Sequence, residues 1–137
     1  MALRDPDKTR SNILEVASNI FHQKGYNGTS LSDILNGAQV SKGALYHHFS
    51  NKQELLYAVV DEVYSCYFLS RWQDVLTSDA PMEAIAQVVD QMAQEGSDEE
   101  MCSGCPIHNI SAELASTDEG LRTRVDAIFT GLQNIIE

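Results

Sequence analysis

The residues with the densest chemistry lie between Val40 and Lys52, in the run VSKGALYHHFSNK. Lys42, Tyr46, His47 and His48 place a cation, a phenol and two imidazoles in close succession, and all of them can bond a phosphate or a base edge. Gly43 and Ala44 are small enough to let another surface, or a thymine methyl, come close to the backbone. Ser41 is a helix N-cap type, whose hydroxyl accepts from a free N–H of the first turn. Leu45 and Phe49 lie four apart, so a helix through this run turns them toward a core. Lys42, Ala44, Tyr46, His47 and His48 then stand on or beside the other face. A basic, aromatic, small-residue surface on a helix of about eight residues suits the major groove of DNA. Ser50 and Gln53 have capping-box spacing for a following helix. Lys52 would stand near that helix's N-terminus, where backbone N–H groups hold a phosphate.

Two further groups carry chemistry. Cys102-Ser103-Gly104-Cys105, with His108 three residues on, is a CxxC beside a histidine. A structural zinc site wants four ligands, and Cys66 brings no ligand pair with it, so no metal is expected. Cys102 and Cys105 can instead form a thiol switch, Cys105 being favoured as a thiolate at a helix N-terminus, or can simply pack. Tyr64, Tyr67, Phe68 and Trp72, with Met92 and Ile110 further along, can line a pocket for a small apolar or aromatic effector; core packing is the commoner use of such a stripe. No nucleophile–base pair and no phosphate-binding glycine loop occurs, and Asp61 and Glu62, being adjacent, point to different faces. Neither enzyme chemistry nor a cofactor is expected.

Helices must position these groups. The first spans Pro6 to Lys24: Asp5 caps it, Pro6 suits its first position, and Gly25 closes it. Ile13, Leu14, Ala17, Ile20 and Phe21 form its buried stripe, and His22 at its edge is structural. A short second helix runs from Leu31 to Ala38, capped by Thr29 or Ser30, with Asp33 in near-capping-box register. Ala38-Gln39-Val40 is the turn into the basic helix. A long helix follows from Lys52 to Leu76, with a stripe of Leu55, Leu56, Val59, Val60, Val63, Tyr64, Tyr67 and Phe68 that is too wide for one partner. Pro81 to Glu95 is the fifth helix, with Met82, Ile85, Val88, Val89 and Met92 as its stripe. Gly96 to Glu100 reads as a solvated acidic loop. Cys105 and Pro106 open the sixth helix, with Ile107, Ile110, Leu114 and Ala115 inward. Ser116 and Glu119 cap the seventh, whose stripe runs from Leu121 through Val125, Ile128, Phe129 and Leu132 to Ile135 and Ile136. The fold class is all-α.

The formal net charge of −11 over 137 residues argues against nucleic acid until it is divided. Residues 1–60 hold six Lys/Arg against five acids, net +1, whereas residues 61–137 hold three against fifteen, net −12. The first part can face DNA and the second is repelled by it. A net of +1 is modest for a DNA reader, so tight binding needs close contacts and two copies; the alternatives are a redox or metal-responsive regulator through Cys102 and Cys105, or a helical interaction module without DNA binding. No apolar run of about 18 residues and no signal-peptide core is present, so no membrane association is expected, and a cytoplasmic protein is.

The run Ser41, Lys42, Gly43, Leu45, Tyr46, His48, Phe49, Lys52, Leu55 resembles the DNA-binding domain of the TetR family of bacterial one-component regulators. The resemblance extends from about Thr9 to Val63 and more weakly beyond. It implies a three-helix bundle with a helix-turn-helix over residues 1–51, then a helical effector-binding and dimerisation domain over residues 52–137. It also implies a homodimeric repressor on a palindromic operator in double-stranded DNA, released by a small molecule. Thr29 would touch a phosphate by the same resemblance, and Tyr26 matches an aromatic position. Family members carry Gly where this chain has Gln39, a position of positive φ. Gly104-Cys105 resembles a pair that opens this helix in one branch of the family, which makes packing the leading role for Cys105. Members usually continue with two more long helices that form the dimer interface.

Overall fold

The computed structural model describes residues 5–136, and side chains as far as Ile135. Its elements are α1 (Pro6–Lys24), α2 (Leu31–Ala38), α3 (Lys42–His48), α4 (Lys52–Ala58), a π-helical segment (Val59–Tyr64), α5 (Ser65–Leu76), α6 (Pro81–Glu95), α7 (Asp98–Ser103), α8 (Pro106–Leu114) and α9 (Glu119–Ile136). Among the described residues there is no strand, and no helix is long and apolar enough to cross a membrane.

The first three helices start and stop where side-chain chemistry tells them to. Asp5 accepts from the Asp7 N–H at 3.1 Å, Pro6 takes the first position, and Gly25 closes α1 at φ +76°. Ser30 and Asp33 form a reciprocal capping box on α2, at 3.1 and 3.0 Å. Ser41 Oγ accepts from the Ala44 N–H at 3.1 Å and opens α3. Between α2 and α3, Gln39 adopts φ 55°, ψ 44°, the left-handed conformation that glycine takes without a Cβ penalty. Asn12 of α1 donates to Ala38 O at 2.9 Å and pins this turn to the bundle.

Beyond α3 several expectations are corrected. Asn51, not Ser50, caps α4, accepting from the Glu54 N–H at 2.8 Å; the two types cap about equally well, and the length of the turn decides between them. Lys52 to Leu76 is helical throughout, but Ser65 N–H reaches back five residues to Val60 O in the π segment. One residue added to a turn rotates everything after it by about 100°. This divides the wide stripe: Leu55, Leu56, Val59, Val60 and Tyr64 are buried, while Tyr67 beyond them is 51% exposed. The acidic stretch is not a loop from end to end: Ser97 and Glu100 form a capping box and α7 begins at Asp98. Asp118 rather than Ser116 heads α9, accepting from the Leu121 N–H at 2.9 Å.

The largest correction concerns α6. Its apolar residues fall on one face as expected, yet none is buried, and Met82, Val89 and Met92 are 74%, 58% and 39% exposed. Periodicity identifies the apolar face of a helix but not whether anything covers it. In α9, Leu121, Val125 and Ile128 are buried while Phe129 is exposed; the side chain of Ile136 lies outside the described residues. A single buried cluster runs from Ile13, Ile34 and Leu45 through Leu55, Val59 and Val60 to Ile107, Ile110, Leu121 and Ile128. It therefore crosses the boundary expected between residues 51 and 52.

Candidate nucleic-acid interface

α3 stands on the core through Leu45 and Phe49, both almost fully buried. The Arg10 guanidinium lies 5.2 Å over the Phe49 ring and makes two 2.7 Å bonds to the Glu62 carboxylate. That bidentate pair ties α1 to the π segment, and its hydrogen bonds hold Glu62 below the usual carboxylate range. The base on which α3 sits is thus fixed by packing and by directional bonds.

The outward face carries the polar residues of the sequence motif. Lys42, Gly43, Tyr46 and His47 are exposed, and Ala44 is half-buried. Lys42 Nζ lies 5.8 Å from the Tyr46 ring centroid. The His47 and His48 rings meet edge-on at 5.0 Å, and half-buried His48 leans on Phe49 at 6.3 Å. A Cβ built on Gly43 would meet nothing but Ser41 Oγ, at 4.0 Å. The fold therefore leaves room for a side chain at this position without using it. Ser41 is exposed but its hydroxyl caps the helix.

Two residues of the motif are set apart from this face. Thr29 is only 2% exposed, and its hydroxyl donates to Gly25 O at 2.6 Å, joining the end of α1 to the start of α2. Lys52, half-buried at the start of α4, lies 4.2 Å over the Tyr26 ring. Its desolvation pulls the ammonium pKa down, against the pull of Glu113.

Glu113 has no local sequence signature, yet it joins the two halves of the chain. From α8 its carboxylate accepts from the Tyr26 and Asn27 N–H groups at 2.9 and 2.8 Å. A Cβ on Gly25 would come within 3.0 Å of it, which adds steric reason to the positive φ for glycine there. Two more ties reinforce the joint. His22 Nε2 meets Gly104 O at 2.6 Å. Asp118 accepts from Tyr57 at 2.6 Å and Gln53 at 3.0 Å, and the bond to Asp118 pushes the Tyr57 pKa up to about 12. These links are long-range, so no spacing within one helix announces them.

The expected effector residues are dispersed. Tyr64 is buried, donates to Ser18 O at 2.6 Å, and has its phenol pKa raised by burial. Phe68 packs edge-on against Phe129 at 5.8 Å, Ile110 belongs to the buried core, Trp72 is half-buried, and Met92 lies on the open face of α6. Of these residues, Tyr67 borders a cavity of about 330 Å³ between α5 and α6. Cys102 and Cys105 are exposed free thiols on either side of Gly104, whose carbonyl docks on His22. Among the described residues no group of three His, Cys, Asp or Glu side chains is placed to hold a metal ion.

Residues 13–59 match the sequence model described as "Bacterial regulatory proteins, tetR family", and residues 81–137 match "Transcriptional regulator LmrA/YxaF-like, C-terminal domain". An uncharacterized HTH-type transcriptional regulator in the lacX 3′ region of Lactococcus lactis is 30% identical over 129 residues, 93% of this chain and 66% of that protein. The HTH-type transcriptional repressor NemR of Escherichia coli K12 is 30% identical over 124 residues, 86% of this chain and 60% of that protein. The crystal structure of reduced E. coli NemR superposes with a TM-score of 0.75 at 27% identity, over 93% of this chain and 67% of that one. The chain thus spans less than two thirds of the length of these two curated relatives.

Proposed function

Because the chain belongs to the TetR family of bacterial regulators, we propose that it acts in the cytoplasm as a ligand-responsive repressor of transcription, with no enzymatic step. One observation carries this reading: α3 turns Lys42, Gly43, Tyr46 and His47 outward from a base of buried Leu45 and Phe49. Lys42, Tyr46 and His47 supply phosphate and base-edge donors, while Gly43 and Ala44 let the groove come close. Residues 1–51 form the DNA-reading unit, and residues 52–137 the effector-binding and dimerisation unit. Two copies set their α3 helices about 34–36 Å apart, one turn of DNA, and so recognise a palindrome.

An effector changes that spacing only to the extent that it binds one arrangement better than the other. The contacts able to carry such a shift are Glu113 on the loop after α1, and Asp118 on Tyr57 and Gln53 of α4. Movement of α8 or of the head of α9 displaces the bundle through them. In this account Thr29 joins α1 to α2 and Lys52 packs on Tyr26, and the exposed members of the motif make the DNA contacts.

The test is fluorescence anisotropy with duplex DNA from upstream of the protein's own gene, across a salt series, using wild type and Tyr46→Ala. Sequence-specific binding that weakens steeply with salt, and about tenfold with the substitution, is expected. Equal binding to unrelated duplex, or no effect of the substitution, would refute the assignment.

A further inference from the structure

The cavity between α5 and α6 has a chemistry that the sequence does not suggest. It is bordered by Tyr67, Arg71, Asp74, Gln87, Val88 and Gln91 among others. Arg71 Nη1 is buried and has no hydrogen-bond partner. Its guanidinium carbon lies 4.8 Å from the Tyr67 ring centroid. Arg71 as a whole is half-buried, and the Nη1 donor that lacks an acceptor is the part of it that costs the fold stability. The natural complement of a planar guanidinium is a carboxylate, which takes two parallel N–H bonds.

The other walls narrow the choice. Gln87 and Gln91 stand one turn apart on α6 and offer amide donors across the cavity from Arg71. Val88 and the face of Tyr67 suit an apolar or aromatic body. Asp74 borders the same space, and the ion pairs among the described residues do not include it. A second negative charge on the ligand would therefore meet repulsion. The space, of about 330 Å³, is open to solvent on one side, so a ligand there would keep part of its surface in water.

We propose that this cavity binds the carboxylate of a small monobasic organic acid, with Arg71 as its anchor and Gln87 and Gln91 as supporting donors. The proposal rests on the effector-responsive reading above and gives the effector a chemical class. It replaces the expectation of a purely apolar pocket with an apolar body carrying one acidic group.

The experiment is isothermal titration calorimetry of the full chain with benzoate and hexanoate, beside their neutral counterparts benzamide and hexanamide and the dianion phthalate. At least one acid is expected to bind about tenfold or more tightly than its amide, with phthalate weaker than benzoate. Arg71→Gln should abolish the preference for acid over amide, and Arg71→Lys should keep part of it. Gln87→Leu, a substitution at an exposed position on α6, should weaken acid binding without touching the core. Acids that bind no better than amides, or an acid preference that survives Arg71→Gln, would overturn the proposal. Binding is read without DNA, so its failure is separable from failure of the regulator reading: addition of the same acids to the anisotropy assay tests release.

Discussion

α3 and α6 each leave one face bare, and the two faces are opposite in kind. The open side of α3 is polar, with Lys42, Tyr46 and His47 over a buried Leu45 and Phe49. The open side of α6 is apolar, with Met82, Val89 and Met92 exposed and no residue of the helix buried. Water satisfies the first face. It does not satisfy the second, so α6 contributes little to the stability of the chain as it stands. The contrast separates two uses of one helical period: in α3 it presents chemistry from a packed base, and in α6 it marks a surface that is left open among the described residues.

That contrast can be broken by substitution. Leu56→Ala empties a fully buried position and should cost about 2–5 kcal/mol in urea unfolding, whereas Val89→Ser on α6 should stay within about 0.5 kcal/mol. Equal losses would mean that the face of α6 is covered in solution. Glu113→Ala should come next, at about 1–3 kcal/mol, because two backbone N–H groups lose their acceptor. Hydrogen exchange at Tyr26 and Asn27 should quicken in that variant while the amides of α3 keep their protection.

A smaller gain is expected at the turn. Gln39→Gly relieves the left-handed backbone at φ 55° and should stabilise by up to about 1 kcal/mol, less what glycine adds to the freedom of the unfolded chain. Loss of stability would show that the Gln39 side chain holds the turn.

The smallest effect sharpens the joint between the halves. The hydrogen bond to Asp118 raises the Tyr57 pKa from 10.0 to about 12, so its contribution is complete below 10.0 and is lost as pH rises through about 12. Burial pushes the Asp118 carboxyl up, but bonds from Tyr57 and Gln53 outweigh it and hold the pKa below 3.8. That contribution is complete above 3.8 and is lost as pH falls through the lowered value. The difference in unfolding temperature between wild type and Tyr57→Phe should therefore be constant at intermediate pH and shrink toward both extremes. A difference that does not vary with pH would remove the bond from the account.

How much was legible in the sequence follows the range of each interaction. Caps at Asp5, Ser30 and Ser41 and the closing Gly25 act within a few residues of themselves, and they fix the starts of α1 to α3 and the end of α1. The left-handed turn at Gln39 was legible through the resemblance, since the family's glycine marks the conformation. The π segment was not, because its signal is an overwide stripe that also fits a helix packed on two sides. Glu113, Asp118 and the carbonyl of Gly104 act on partners far away in sequence; a carboxylate within a helix reads as a solvated face until its partner is placed. The cavity escaped for the same reason. Tyr67 and Trp72 drew attention as aromatics, while Arg71 between them gained its meaning only once α6 brought Gln87 and Gln91 across from it.

The most direct measurement of the central claim, that α3 keeps its outer face clear for DNA, is Gly43→Ala. An added Cβ meets no protein atom closer than 4.0 Å, and alanine is the better helix former. The account predicts unchanged or slightly higher thermal stability together with at least about tenfold weaker binding to the upstream duplex. A variant that binds that duplex as tightly as wild type would contradict it.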